Sequence, residues 1–164
     1  MMRSVVLLLG SNDERRAAII ESAIRIIGEA VGSIVKCSAE YRSEAYGFTS
    51  EREFINRAVE ITTELDAYEV LRRINLIEAL LGRDRSIEQQ TKELTGEAYA
   101  SRPIDIDIIF YGDETFSDSR LTIPYHFFSE REYAVRPVAE IAPERKHPAL
   151  EHTPREMLER LTKK

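Results

Sequence analysis

Hydrophobic positions along the chain switch between strand-like and helix-like spacing, and the order of these segments predicts an α+β fold. Residues Val5 to Leu9 form an unbroken apolar run that stops at Gly10, as expected for a strand buried on both faces. Apolar residues then recur at helical spacing, which indicates an amphipathic helix ending between Gly28 and Gly32. Two further strands are predicted over residues 33–46 and 54–63.

The second half of the chain repeats this alternation. Asp66 has the chemistry of a helix N-cap, and the helix that follows is expected to end at Gly82. Another strand is predicted over residues 104–111, with helical segments over 132–141 and after Thr153. The order β-α-β-β-α-β predicts a ferredoxin-like fold, in which helices pack on one face of an antiparallel sheet.

Length and composition limit the classes of protein that this chain can belong to. It has 164 residues, 43% of them hydrophobic, which suits a single domain spanning residues 1–164. The net charge of −6 argues against a nucleic-acid-binding protein, which would carry a basic surplus. Cys37 is the single cysteine, so a disulfide within the chain is excluded. No apolar stretch approaches the ~20 residues that span a membrane, and we expect a cytosolic protein, monomeric or weakly dimeric.

The segment from Arg83 to Arg102 interrupts this compact arrangement, because it is polar and shows no strong periodicity. Loops of this length are uncommon in compact domains and often act as lids over a binding site. A disordered insertion is the alternative, but the arginines near both ends of the segment favour a lid. The sequence therefore predicts a long catalytic loop before the strand at 104–111.

Asp105 and Asp107 are candidate metal ligands. Strand alternation places both carboxylates on one face and Ile104, Ile106 and Ile108 on the other. Two carboxylates about 7 Å apart on an apolar strand repel each other, and a cation between them relieves this repulsion. Mg²⁺ is the obvious candidate, because it binds one or two carboxylates and completes its coordination with water and phosphate oxygens. Spacing alone leaves a solvated strand face as the alternative.

Arginines flank this strand and the polar segment, although the chain is acidic overall: Arg83, Arg85, Arg102 and Arg131. Phosphoryl transfer is catalysed mainly by positioning and by neutralisation of charge, for which magnesium and arginines suffice. Each arginine by itself could form a surface ion pair, whereas the four together favour phosphate binding. The chain lacks the Gly-x-x-x-x-Gly-Lys-Ser/Thr motif and is not a P-loop enzyme.

Several motifs occur in one characteristic order. The most specific is Arg102-Pro103-Ile104-Asp105-Ile106-Asp107-Ile108. The others are Gly10-Ser11-Asn12, Phe54-Ile55-Asn56, Leu81-Gly82-Arg83-Asp84-Arg85, Leu121-Thr122-Ile123-Pro124 and Glu140-Ile141-Ala142-Pro143. Together they resemble the 6-hydroxymethyl-7,8-dihydropterin pyrophosphokinase family of folate biosynthesis, over nearly the whole chain.

The resemblance implies transfer of the pyrophosphoryl group of ATP to the pterin hydroxymethyl oxygen, with release of AMP. It implies two magnesium ions held by Asp105 and Asp107, with Arg83 and Arg102 closing over the phosphates. The residues that it places at ATP are Glu78, Arg85, Ile108, Arg120, Thr122 and Arg131. Those that it places at the pterin are Gly10, Ser43, Tyr46 and Asn56.

Two side chains of one predicted strand suit a pterin on physical grounds. A flat polar heterocycle needs an aromatic wall and an amide that both donates and accepts hydrogen bonds, and Phe54 and Asn56 share the strand face that can supply them. The chain departs from the family where a histidine usually follows Pro124. Tyr125 stands there, and His126, one residue later, is the candidate to bind ATP in its place.

Two alternative functions stay open from the sequence. One is a divergent relative that acts on another hydroxymethyl heterocycle. The other is a non-catalytic nucleotide-binding module with the same fold.

Overall fold

The strands form an antiparallel sheet in the order expected of the ferredoxin-like pattern. The computed structural model describes residues 1–44, 52–96, 103–125 and 128–163. The strands of the sheet are β1 (Arg3–Ser11), β2 (Ser33–Cys37), β3 (Tyr41–Ser43), β4 (Phe54–Thr63) and β5 (Asp105–Tyr111). Their order is β2-β4-β1-β5, and β3 also pairs with β4. The predicted α+β class is confirmed.

The strand expected over residues 33–46 is two separate strands, β2 and β3, as far as residue 44, and residues 45 and 46 lie outside the described part of the chain. Between them, Ser38 contacts Ala58 through both backbone and side chain: its N–H group donates to the Ala58 carbonyl at 2.8 Å, and its Oγ atom accepts from the Ala58 N–H group at 2.9 Å. The break allows β3 to pair with the first residues of β4, with Tyr41 opposite Asn56.

Helices cover both faces of the sheet. They are α1 (Arg16–Ala30), α2 (Ala67–Leu80), α3 (Arg85–Thr95), α4 (Glu132–Ile141) and α5 (Pro154–Thr162). Leu7 and Leu9 face a core that includes residues of α1 and α2. Val6 and Leu8 face a second core, with residues of α4 and α5. The expectation of helices on one face was therefore wrong, and the unbroken apolar run of β1 has its physical reason, since both faces of the strand are buried.

α3 occupies the centre of the segment that was expected to be a loop. Asp84 caps its first turn, since its Oδ1 atom accepts from the Ser86 N–H group at 2.9 Å. The helix ends at Gly96, whose φ is 73°. None of the residues of α3 is buried, and its two apolar side chains, Ile87 and Leu94, are exposed. Hydrophobic periodicity did not reveal this helix because it has no face in the core.

A short hairpin of β6 (Phe116–Ser117) and β7 (Thr122–Ile123) follows the main sheet. The Phe116 ring packs edge-on against Tyr68 of α2, with 5.8 Å between ring centres. This contact holds the hairpin beside β5 and α2. Within the described residues, no helix is long and apolar enough to cross a membrane.

Candidate active site

Asn56, Gly10 and Asp105 lie opposite one another on the adjacent strands β4, β1 and β5. Residues paired in this way project from the same face of a sheet. Because neighbouring strands are about 4.8 Å apart, the backbones of Asn56 and Asp105 are separated by about 10 Å. The predicted pterin-binding amide and the predicted metal ligand therefore share one face, with a glycine between them.

The Asn56 amide is held in one orientation by β3. Its side chain is buried, and its Nδ2 atom donates to Ser43 Oγ at 2.8 Å and to the Tyr41 carbonyl at 3.3 Å. A Cβ atom placed on Gly10 would lie 3.1 Å from Asn56 Oδ1 and 3.9 Å from Phe54 Cδ1. The structure thus brings Gly10, Ser43, Phe54 and Asn56 together, and the glycine leaves space in front of the amide oxygen.

Asp105 and Asp107 have the arrangement predicted from strand alternation. Both are partly exposed, whereas Ile106 and Ile108 are buried on the opposite face. Among the described residues, no group of three or more histidine, cysteine or acidic side chains could enclose a metal ion. A metal held here would need further oxygen ligands from water and substrate, and this is how Mg²⁺ is bound in phosphoryl-transfer sites. The two carboxylates therefore fit magnesium.

Arg83 connects Asp105 to a buried carboxylate on α2. Its Nη1 atom is 2.9 Å from Asp105 Oδ1 and 2.7 Å from Glu78 Oε2. Glu78 is 2% exposed, and its oxygens also accept from Arg85 Nη2 and from the Ile106 N–H group, each at 2.8 Å. This arrangement encloses Glu78 in protein donors, so it favours a positioning role for Glu78 over direct contact with ATP.

Burial and charge act in opposite directions within this cluster. Burial raises the pKa of Glu78 above its ordinary value, and the Arg83 guanidinium opposes that rise. Burial also disfavours the charged form of Arg83, but Asp105, Glu78 and Glu88 outweigh it and raise the pKa of Arg83. Arg83 therefore stays a cation beside Asp105, although its side chain is only 5% exposed.

A cavity of about 280 Å³ extends from Asp107 along the edge of β5. Its lining residues are Leu71, Ile106, Asp107, Ile108, Arg120, Leu121, Thr122 and Tyr125. Because the Ile106 N–H group points away from β1 to Glu78, strand alternation turns the N–H and C=O groups of Ile108 to the same side. This edge offers a donor and an acceptor, together with apolar walls, to a flat ring.

The sequence of this chain matches the family model for 7,8-dihydro-6-hydroxymethylpterin-pyrophosphokinase (HPPK) over residues 6–143. The chain belongs to the HPPK family. It is 37% identical over 144 residues to a 2-amino-4-hydroxy-6-hydroxymethyldihydropteridine pyrophosphokinase of Methylorubrum extorquens, which covers 87% of this chain and 85% of that protein. The identity is 34% to a protein of the same name from Aquifex aeolicus, with 90% and 85% covered. Membership makes the chain an enzyme of the pyrophosphokinase class.

Solved structures show the same fold. A crystal structure titled HPPK-DHPS in complex with substrates matches 98% of this chain with a TM-score of 0.73 and 16% identity. Plasmodium falciparum HPPK-DHPS wild type matches 98% with a TM-score of 0.71 and 18% identity. This chain spans 43% and 45% of those two chains, respectively.

The structure brings together a large part of the predicted HPPK site, and some residues fall elsewhere. Ile108, Arg120 and Thr122 line the cavity with Asp107. Arg131 is the N-cap residue of α4, where its carbonyl accepts from Ala134 and Val135, and it is not among the described residues that line the cavity. Tyr46, Arg102 and His126 lie outside the described residues.

Four of the cavity residues were not predicted as site residues from the sequence: Leu71, Ile106, Leu121 and Tyr125. Leu71 has the helical spacing of a core residue and packs partly against the core, and its position in the cavity wall follows from the packing of α2 against β5. Tyr125 follows Pro124, where the resemblance leads us to expect histidine, and this departure was the signal that the sequence offered. Its side chain lies among the residues that line the cavity.

Proposed function

We propose that this enzyme transfers the β,γ-pyrophosphoryl group of ATP to the hydroxymethyl oxygen of 6-hydroxymethyl-7,8-dihydropterin and releases AMP. The observation that carries the proposal is the row formed by Asn56, Gly10 and Asp105, which leads on to the cavity at Asp107. This row supplies a heterocycle site and a phosphate site about 10 Å apart on one face of the sheet. A pterin and the end of a triphosphate can therefore meet between them.

The pterin end is recognised by the fixed amide of Asn56. Since Nδ2 is held by Ser43 and Tyr41, Oδ1 is directed to the space above Gly10, where it can accept from a donor on the ring edge. Phe54 supplies an apolar ring beside that space. Tyr46 is proposed as a further wall from the family resemblance.

The nucleotide end occupies the cavity along β5 in this proposal. The adenine ring would lie against Ile108 and Leu71, with its polar edge at the backbone of Ile108. Arg120 and Thr122 form the opposite rim. The triphosphate would then run toward Asp107 and Asp105.

The reaction itself needs little covalent chemistry from the protein. The pterin hydroxyl oxygen forms a bond to the β-phosphorus, the bond from that phosphorus to the oxygen of the α-phosphate breaks, and the hydroxyl proton is released. Asp105 and Asp107 would hold two Mg²⁺ ions, which when bound neutralise the phosphate oxygens and align the two substrates. Arg83, with Arg85 and Arg131 as ATP-binding candidates, would add positive charge, and Arg102 is proposed as the second arginine closing over the phosphates.

The test is incubation of the protein with ATP, Mg²⁺ and the dihydropterin. AMP should form in step with loss of the pterin, and removal of Mg²⁺ by a chelator should stop the reaction until Mg²⁺ is restored. A hydroxymethylpyrimidine as acceptor distinguishes the divergent-relative alternative. Binding of ATP without turnover on any acceptor would contradict the proposal and favour a nucleotide-binding module.

Several expectations from the sequence stay predictions alongside this function. They are the single domain over residues 1–164, the cytosolic location, the monomeric or weakly dimeric state and the role of His126. His126→Ala should weaken ATP binding if this histidine takes the place of the one that the family has after proline. Unchanged binding would leave Tyr125 as the functional replacement.

A further inference from the structure

Arg120 at the rim of the cavity is stacked on an aromatic ring of α2. The carbon at the centre of its guanidinium group lies 4.9 Å from the centre of the Tyr68 ring. Tyr68 lies one helical turn before Leu71, which lines the same cavity. α2 therefore provides one wall of the cavity directly and supports the opposite rim through Tyr68.

The turn that carries Arg120 is also attached to Tyr68. The Tyr68 hydroxyl donates to Asp118 Oδ2. The other oxygen of that carboxylate accepts from the N–H groups of Arg120 at 2.8 Å and Leu121 at 2.9 Å. The hydrogen bond from the Tyr68 hydroxyl contributes most to lowering the pKa of Asp118, so the Asp118 carboxylate stays ionised. Backbone and side chain of Arg120 are thus both held by one tyrosine.

We propose that Tyr68 is a positioning residue that fixes Arg120 for nucleotide binding. The inference rests on the proposed function of the cavity. An exposed arginine samples many rotamers, and stacking on an aromatic face restricts them before the ligand arrives. A donor that is already in place binds its ligand at a smaller entropic cost. Tyr68 thereby acts on nucleotide affinity without touching the nucleotide.

The experiment compares Tyr68→Leu, which removes the ring, with Tyr68→Phe, which keeps it, by calorimetric titration of a non-hydrolysable ATP analogue with Mg²⁺. Tyr68→Leu should raise Kd roughly three- to fivefold, as expected for loss of a cation–π contact near the surface. Tyr68→Phe should stay closer to the native value. In steady-state assays, Tyr68→Leu should raise KM for ATP and leave kcat and KM for the pterin unchanged.

A double-mutant cycle with Arg120→Ala identifies the route of the effect. Tyr68→Leu should have no further effect on Kd in the Arg120→Ala background, because the positioned group is then absent. Equal losses in both backgrounds, or native affinity in Tyr68→Leu, would overturn the inference. Thermal unfolding of each variant checks the fold, and Tyr68→Met replaces Tyr68→Leu in the cycle if the latter does not fold.

Binding of the analogue by the native protein separates the role of Tyr68 from the function proposed for the cavity. If the native protein does not bind the analogue, the function assigned to the cavity is wrong and the role of Tyr68 is overturned with it. If the native protein binds the analogue and the ring-free variants bind it equally well, only the role of Tyr68 is overturned.

Discussion

Arg83 donates from one nitrogen to both Asp105, at 2.9 Å, and Glu78, at 2.7 Å. Glu78 belongs to α2, Asp105 begins β5, and Arg83 also contacts Glu88 of α3 at 3.2 Å. The arginine therefore connects three elements at the point where the polar segment leaves the core. In the proposed reaction, Asp105 would also contact metal, so any shift of α3 is coupled to the position of a metal ligand through Arg83.

Replacing Asp107 with alanine should abolish turnover and leave the fold intact. Asp107 is partly exposed and lines the cavity, so its loss removes a charge for metal and leaves no void in the core. We expect kcat to fall by about a thousandfold or more, the range for loss of a metal or equivalent charge stabilisation. The measurement is AMP release at saturating magnesium, with circular dichroism for the fold.

Asp113→Ala is the matched control for that variant, since Asp113 is an exposed aspartate two residues beyond the end of β5. It should keep native turnover. Substantial activity of Asp107→Ala at saturating magnesium would contradict the assignment of Asp107 as a metal ligand.

Glu78→Ala should destabilise the protein strongly. Truncation leaves Arg83 buried with fewer partners and the Ile106 N–H group without its acceptor, and breaking a buried ion pair in this way costs about 3–5 kcal/mol. The free energy of unfolding in urea measures the loss. Activity should fall as well, because Arg83 and β5 lose their common anchor.

Glu69→Ala on the same helix provides the comparison, because its pairs with Arg72 and Arg73 lie at the surface. Its effect on unfolding should be small. Similar losses for the two variants would show that Glu78 contributes no more than a surface carboxylate does.

Gly10→Ala should weaken pterin binding selectively. The added methyl group would lie 3.1 Å from Asn56 Oδ1 and would occupy the space in front of the amide. We expect KM for the pterin to rise about tenfold, the lower end of the effect of one methyl group in a binding pocket. KM for ATP should change little, because the cavity lining does not include Gly10. A larger effect on ATP than on the pterin would contradict the placement of the two substrates.

His147 should make the stability of the protein depend on pH. Burial lowers the pKa of His147, and its Nδ1 atom accepts from the N–H groups of Ala149 and Leu150 at 3.1 and 3.0 Å. As the pH falls, His147 of the unfolded chain becomes protonated near its ordinary pKa of 6.5, whereas His147 of the folded protein becomes protonated only at a lower pH. The contribution of neutral His147 is therefore complete above about pH 6.5 and is lost progressively as the pH falls toward the lower pKa of the folded state.

Urea unfolding at about pH 7.5 and about pH 5.5 measures this dependence. His147→Asn keeps an acceptor for the two N–H groups but does not titrate, so it should reduce the change between the two conditions. His152→Asn should retain most of the change, because burial lowers the pKa of His147 more than the charge of His152 does. An equal pH dependence in the native protein and His147→Asn would exclude this histidine as the cause.

Local sequence determined most of the elements of this protein. β4 and α4 begin and end at the predicted residues, and α5 begins at Pro154 after Thr153 as expected. These segments have strong hydrophobic periodicity or helix-capping residues. Both signals depend only on residues that are close together in the sequence. The shared face of Asp105 and Asp107 was predictable for the same reason, since it follows from alternation along β5 alone.

Tertiary structure decided how these pieces meet. The strand order brings Asn56 beside Gly10 and Asp105, the second layer of helices explains the apolar run of β1, and α3 forms without an apolar face in the core. Periodicity describes what one segment presents to its surroundings, whereas these features depend on which other segment lies opposite. For that reason the sequence by itself determined most of the elements and the shared face of Asp105 and Asp107. Only the packing of α2, β5 and the hairpin decided that Glu78 is enclosed, that Arg120 rests on Tyr68 and that Leu71 forms a wall of the cavity.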